Sequence, residues 1–172
     1  VAVGPDGAAA AGNGAKGSGE TFAFGQLRLK SRLLLAPMES VTDCAYRRLC
    51  YELGAGFTWT EMIRAAALGR GNGASRNFID SFDAGTPTGV QLLTTKPLEL
   101  SKALQMLDKL AATEFPHWST GIQGIDLNFG CPSPEIVKMG GGPAMLKRAK
   151  RLQELFEVLA SWRSSTQLPV GV

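Results

Sequence analysis

The sequence predicts an α/β fold: a parallel sheet sheathed in helices, wound as the N-terminal part of a (β/α)8 TIM barrel. Three observations carry that expectation. Short apolar runs alternate with stretches of helical periodicity from Leu33 onward, which is the pattern of repeated strand–helix units. Polar residues stand at the C-terminal ends of four successive strands: Pro37-Met38-Glu39, Glu61 with Arg64, Gln91, and Asn128 with Cys131. Barrel active sites are built from that layer. No Gly-x-Gly-x-x-Gly follows the first strand, so the fingerprint of a doubly wound dinucleotide-binding sheet is missing. A full barrel needs about 250 residues, so these 172 predict its first four to five strands.

The elements follow in order. Residues 1–21 are Gly/Ala-rich with almost no large apolar group, and a disordered tail is expected because little surface is available to offset the entropy of ordering. Residues 22–172 form the barrel portion. Phe24 to Lys30 alternates as a half-exposed strand, and Leu33 to Ala36 is a short buried strand ended by Pro37. A helix is expected next, capped by Ser40, with Val41, Ala45, Leu49 and Leu53 as its buried stripe and Gly54 and Gly56 as its stop. Phe57 to Thr60 is a second strand running out at Glu61 to Arg64, and a poorly patterned stretch leads to a third at Thr88 to Leu93. Pro97 opens a helix whose apolar face is Leu100, Ala103, Leu104, Leu107 and Leu110. Gly124 to Asn128 is a fourth strand. Pro143 opens a further helix with Met145, Ala149, Leu152, Phe156 and Leu159 on one side, and Pro169 to Val172 starts a fifth strand. Val1 is not Met and the last run reads as a strand beginning, so an N-terminal fragment is expected.

The totals exclude several classes. With 44% hydrophobic and 19% charged residues, the chain reads as globular, and no apolar run approaches the roughly 20 residues that span a bilayer. A net charge of +3 is too small to argue for a polyanionic partner alone. Cys44, Cys50 and Cys131 lack metal-ligand spacing, so neither a metal site nor a disulfide framework is expected, and Cys44 and Cys50 are assigned to helix packing.

The fourth strand carries the chemistry. Ile125, Leu127 and Phe129 face one way, which leaves Asp126 and Asn128 pointing into the barrel, with Cys131 in the loop beyond. From pattern alone, Asn128 reads equally as a satisfied loop amide, and Cys131 reads more readily as an inert buried thiol. A nucleophilic thiol wants a general base nearby, and the single histidine, His117, belongs to a loop at the opposite end of that strand. A thiol acting as a general acid needs no histidine. Gln91 is an amide in an apolar strand and must find partners, from a ligand with ring heteroatoms or from backbone. Arg64 reads as a solvated arginine or as a contact for an anionic substrate. Gly140 to Gly142 reads as a tight turn beside Cys131 more readily than as a phosphate cradle.

Taken together these segments resemble a known family. Leu35-Ala-Pro-Met-Glu-Ser-Val-Thr-Asp43, with Tyr46-Arg-Arg-Leu49 and Glu52-Leu-Gly-Ala55, is similar to the opening of the tRNA-dihydrouridine synthases. Thr60-Glu-Met-Ile-Arg64, Val90-Gln-Leu92, Ile125-Asp-Leu-Asn-Phe-Gly-Cys-Pro132 and Gly140-Gly-Gly-Pro-Ala-Met-Leu146 follow in that family's order and spacing. The Pro-Met-Glu and Glu-Met-Ile-Arg wording is nearest the bacterial branch acting on position 16 of the tRNA D-loop.

The resemblance implies an FMN-dependent barrel with a helical C-terminal domain that helps bind tRNA. NADPH would reduce the flavin, which would pass a hydride to C6 of a uracil while Cys131 protonates C5. Pro37, Met38 and Glu39 match the segment against the flavin, Gln91 the residue at its ring edge, and Asn128 and Arg64 positions that contact the tRNA or the target base. A monomeric protein without metal, in the cytoplasm or an organelle, is expected. There are departures. Leu93-Thr94-Thr95 replaces a usual glycine, and the family's flavin-binding lysine, later histidine, phosphate loops and helical domain are absent, so the chain alone is expected to be inactive. The alternatives are another FMN barrel, of the old yellow enzyme or dihydroorotate dehydrogenase kind, and a non-catalytic tRNA-binding protein.

Overall fold

A computed structural model describes residues 21–80, 85–113, 122–166 and 168–171. The expected N-terminal tail through residue 20 and His117 lie outside the described residues. The chain runs β1 (Phe22–Phe24), β2 (Leu27–Leu29), β3 (Leu34–Leu35), α1 (Cys44–Glu52), β4 (Phe57–Arg64), α2 (Ala65–Leu68), α3 (Gly73–Asp80), β5 (Thr88–Leu93) and α4 (Pro97–Thr113). It continues through β6 (Ile122–Leu127), α5 (Pro134–Lys138), a 3-10 segment (Gly142–Lys147), α6 (Ala149–Thr166) and β7 (Val170–Gly171).

Strands β3 to β7 form one parallel sheet in sequence order, β3-β4-β5-β6-β7. A doubly wound sheet reverses direction at a switch point, whereas a barrel adds each strand beside the last. The unbroken order therefore decides between them, and the fold is the N-terminal part of a (β/α)8 barrel. Between sheet and helices lies the larger core: Val90, Leu92, Ile125 and Leu127 from the strands meet Leu100, Ala103, Leu104, Leu107 and Leu110 of α4 and Leu155 and Leu159 of α6. The face expected of α4 is buried residue for residue.

The barrel floor is closed by a feature the alternation did not reveal. Phe24 to Lys30 is not one strand: β1 and β2 pair antiparallel, Phe24 opposite Leu27, across a turn whose Gly25 has φ 58°. Positive φ at the first central residue is what a type II′ hairpin requires. Phe24 stacks edge-on against Phe57, and Phe57 against Trp59, with centroids 5.3 and 5.0 Å apart. These rings occupy the space left by two glycines: a Cβ on Gly89 would run into the Trp59 ring, and one on Gly124 would lie 3.4 Å from it.

Helix α1 also differs from expectation. Asp43, not Ser40, is the cap, accepting from the N–H of Tyr46 at 2.8 Å, while Ser40 sits at φ 60° in the preceding turn. Starting at Cys44 rotates the inner side of the helix onto Cys44, Arg47, Cys50 and Tyr51. Arg47 is buried and donates to the Thr42 carbonyl at 2.6 Å, whereas Val41, Leu49 and Leu53 are exposed. Helix α6 likewise begins at Ala149, after the 3-10 segment Gly142–Lys147 that contains Pro143, so Leu155 is buried and Phe156 is not. The stretches that form α2, α3 and α5 had no helical pattern strong enough to predict them.

Candidate active site

The C-terminal ends of β4, β5 and β6 surround a cleft of about 580 Å³ lined by Pro37, Glu39, Met62, Gln91, Asp126, Asn128 and Cys131, with the adjoining loop. Three strands supply its floor because their side chains alternate. In β5, Val90 and Leu92 go to the helices and Gln91 goes inward. In β6, Ile125 and Leu127 go outward, leaving Asp126 and Asn128 inside, as the alternation predicted. Strand β4 does this with a bulge: Trp59 stands opposite Gly89 but Met62 opposite Gln91, so β4 spends one extra residue there. Phe57 and Trp59 line the floor below the bulge, and Met62, not Glu61, lines the cleft above it.

The inward polar groups are bonded in series. Gln91 is 6% exposed, and its Nε2 donates to Asp126 Oδ2 at 2.6 Å. Asn128 Nδ2 donates to Gln91 Oε1 at 3.0 Å, and the N–H of Cys131 donates to Asn128 Oδ1 at 3.0 Å. The partners of the buried Gln91 amide are thus side chains of the next strand, where the sequence had left ligand and backbone open. Burial pushes the Asp126 carboxyl above its ordinary range, and the Gln91 hydrogen bond offsets this in part.

Two supports shape the loops. Thr42, fully buried, accepts from the N–H of Met38 at 3.1 Å and donates to its carbonyl at 3.0 Å, while Glu61 accepts from the N–H of Ser40. Together they fix the Pro37 to Ser40 turn at the rim. On the other side, Gly140 and Gly142 adopt φ 80° and 53°, and a Cβ on Gly142 would overlap the carbonyl oxygen of Cys131. The glycine run is the tight turn the sequence suggested, and it presses directly on the thiol's own peptide.

A family model for dihydrouridine synthase matches residues 34–172. The chain belongs to the dihydrouridine synthase family. It is 28% identical over 151 residues to a probable tRNA-dihydrouridine synthase of Treponema pallidum, covering 87% of this chain and 42% of that one. A probable tRNA-dihydrouridine synthase of Rickettsia conorii is 33% identical over 151 residues, covering 87% and 41%. The tRNA-dihydrouridine synthase B of Escherichia coli is 32% identical over 124 residues, covering 72% and 36%. The chain therefore spans about four tenths of the length of the curated synthases it matches.

Of the residues singled out in the sequence, the synthase fold brings Pro37, Glu39, Gln91, Asn128 and Cys131 to one cleft. It does not bring all. Met38 is 36% exposed and does not line the cleft, its backbone being held by Thr42 instead. Arg64 borders a separate hollow of about 260 Å³ with Thr94, Lys96 and Met139, and its guanidinium pairs with Glu135 at 2.6 Å. Met62 was missed because the bulge is invisible in the pattern. Asp126 was seen to face inward without a reason to weigh it. Cys44 and Cys50 lie on the packed side of α1, half-buried. Among the described residues no helix is long and apolar enough to cross a membrane, and no cluster of three His, Cys, Asp or Glu could hold a metal ion.

Proposed function

We propose that the protein carrying this chain reduces the C5–C6 double bond of a uridine in the D-loop of tRNA. The observation that carries the reading is the placement of Cys131 and Asn128 over one cleft with Gln91, in a chain whose family match covers residues 34–172. Family membership implies a flavin-dependent enzyme; FMN, with NADPH as reductant, is the cofactor we assign. The lining supports a flavin ring: Pro37 and Met62 are apolar, and Gln91 Nε2 keeps a second hydrogen for a ring heteroatom, since a side-chain amide carries two. When bound, FMN supplies the hydride for the pyrimidine.

The chain's own residues supply the rest. Cys131 is half-buried at the rim and gives its thiol proton to C5 of the base, a role a thiol can fill without a partner base. Asn128 positions the target base, and Gln91 the ring edge. Pro37, Met38 and Glu39 form the turn beside the flavin, with Met38 contributing through its backbone. Arg64 meets the RNA from outside the cleft, where a half-exposed guanidinium suits a phosphate. A stacked base cannot reach such a cleft, so the target uridine must be turned out first.

The test is tRNA lacking dihydrouridine, incubated with the full-length protein, NADPH and FMN, and analysed by nucleoside mass spectrometry. Dihydrouridine should form, and Cys131→Ala should bind flavin and tRNA while forming none. A full-length protein that forms none, or a Cys131→Ala variant as active as the parent, refutes the proposal.

A further inference from the structure

The amides of Gln91 and Asn128, taken singly, each fit either way round, because oxygen and nitrogen are nearly equivalent in shape. In this cleft neither is free to turn. Ionised, the Asp126 carboxylate can only accept, so it takes the NH2 of Gln91. Gln91 must then offer its oxygen to Asn128, which answers with its own NH2. Asn128 is left with its oxygen toward the loop, where the N–H of Cys131 can only donate. The space beside Asp126 is kept clear by Gly171, its partner in register on β7, where a Cβ would stand 2.7 Å from Oδ1.

We infer that Asp126 is a positioning residue: by fixing the head-to-tail order of Gln91 and Asn128, it holds the loop that carries Cys131 over the cleft. It acts through two other side chains and need not touch substrate. The inference rests on the reading of Cys131 as the proton donor, but its physical content is separate from that reading. It concerns where the loop stands.

The test uses the full-length protein in five forms: parent, Asp126→Asn, Asp126→Ala, Gln91→Met and Cys131→Ala. Two quantities are read: the kcat and KM for dihydrouridine formation, and the rate at which iodoacetamide alkylates Cys131, resolved by peptide mass spectrometry. Asp126→Ala should lower kcat about tenfold or more with KM moved less than about threefold, because the defect is one of geometry at the reacting atoms. Its Cys131 should alkylate several-fold faster, as a loosened loop exposes the thiol. Asp126→Asn keeps a carbonyl oxygen that the series, held at its other end by the Cys131 N–H, turns toward Gln91, and it should recover most of both losses. Gln91→Met cuts the same series in the middle and should give the same fast alkylation, which keeps the test open if Asp126→Ala does not fold. Alkylation at the parental rate in Gln91→Met or Asp126→Ala overturns the inference, as does an Asp126→Asn variant no better than Asp126→Ala. If Cys131→Ala remains active, the functional reading fails instead, and the alkylation rates still judge the hydrogen-bond series.

Discussion

Replacing Gly142 by alanine should damage turnover more than stability, and the structure gives the sizes. Gly142 has φ 53°, where a non-glycine residue costs about 1–2 kcal/mol. The added Cβ also overlaps the Cys131 carbonyl oxygen, which must retreat by about 1 Å to reach an ordinary carbon–oxygen contact. Forcing one methyl into a packed site adds about 1–3 kcal/mol, so the total loss is about 2–5 kcal/mol. If Cys131 is the proton donor proposed above, a retreat of about 1 Å in its peptide is worth about 100-fold in rate. Gly71→Ala supplies the comparison: φ is 71°, but the nearest atom to its Cβ would be Met106 Cε at 3.7 Å, an ordinary contact. It carries the conformational cost alone, about 1–2 kcal/mol, and leaves turnover at the parental level. Denaturant unfolding of both variants gives the stabilities, and single-turnover formation of dihydrouridine gives the rates. Equal destabilisation of the two variants, with turnover intact in Gly142→Ala, would refute the claim that this glycine sets the thiol's position.

Two further outcomes follow from the same geometry. Gly89→Ala drives a Cβ into the Trp59 ring on the barrel floor and should cost about 1–3 kcal/mol in chemical unfolding, without changing the pH dependence of turnover, since the floor lies below the cleft. Asp126→Asn should be more stable than the parent at neutral pH. Burial raises the Asp126 carboxyl above its value in the unfolded chain, so the folded state holds that proton more tightly. Its contribution is present below the unfolded value and lost as pH rises through the folded one. The advantage of the asparagine should therefore shrink as pH falls toward the ordinary aspartate range, and thermal unfolding across that range would show it; an advantage that grows on acidification contradicts the sign.

How much of this was legible depended on whether a residue's neighbours were near in sequence. The α4 face could be read because helical spacing and packing against one sheet agree, and Pro97 marks its start. The inward pair Asp126 and Asn128 could be read because β6 is regular at that end. Helix α1 was misread for a physical reason: its Leu49 and Leu53 have helical spacing, yet they are exposed, and the inner side is built around a buried arginine that satisfies the Thr42 carbonyl. Periodicity reports an apolar face, not what covers it. The hairpin was misread because Gly25 interrupts an alternation that otherwise continues through both of its strands.

The bulge in β4 shows why the site itself was only half legible. Counted by strict alternation from Phe57 and Trp59, the next inward residue is Glu61. Inside, it would face Gln91 and stand near Asp126, placing two carboxylates around one amide and taking the second Nε2 hydrogen that is otherwise left for a ligand. Like charges at that spacing raise one another's pKa and one would have to neutralise. The extra residue moves Glu61 out to the N–H of Ser40, where it holds the rim turn, and brings the uncharged Met62 inward. At the bulge the N–H of Gln91 donates to Thr60 Oγ1 at 3.1 Å, so the irregularity is itself satisfied by a side chain. One inserted residue thus leaves Asp126 as the carboxylate beside Gln91, fixes the direction of the amide series, and supplies an apolar wall. A single-residue shift in register, which no count of residue types can register, separates a cleft in which two carboxylates compete for Gln91 from one in which Asp126 alone holds it.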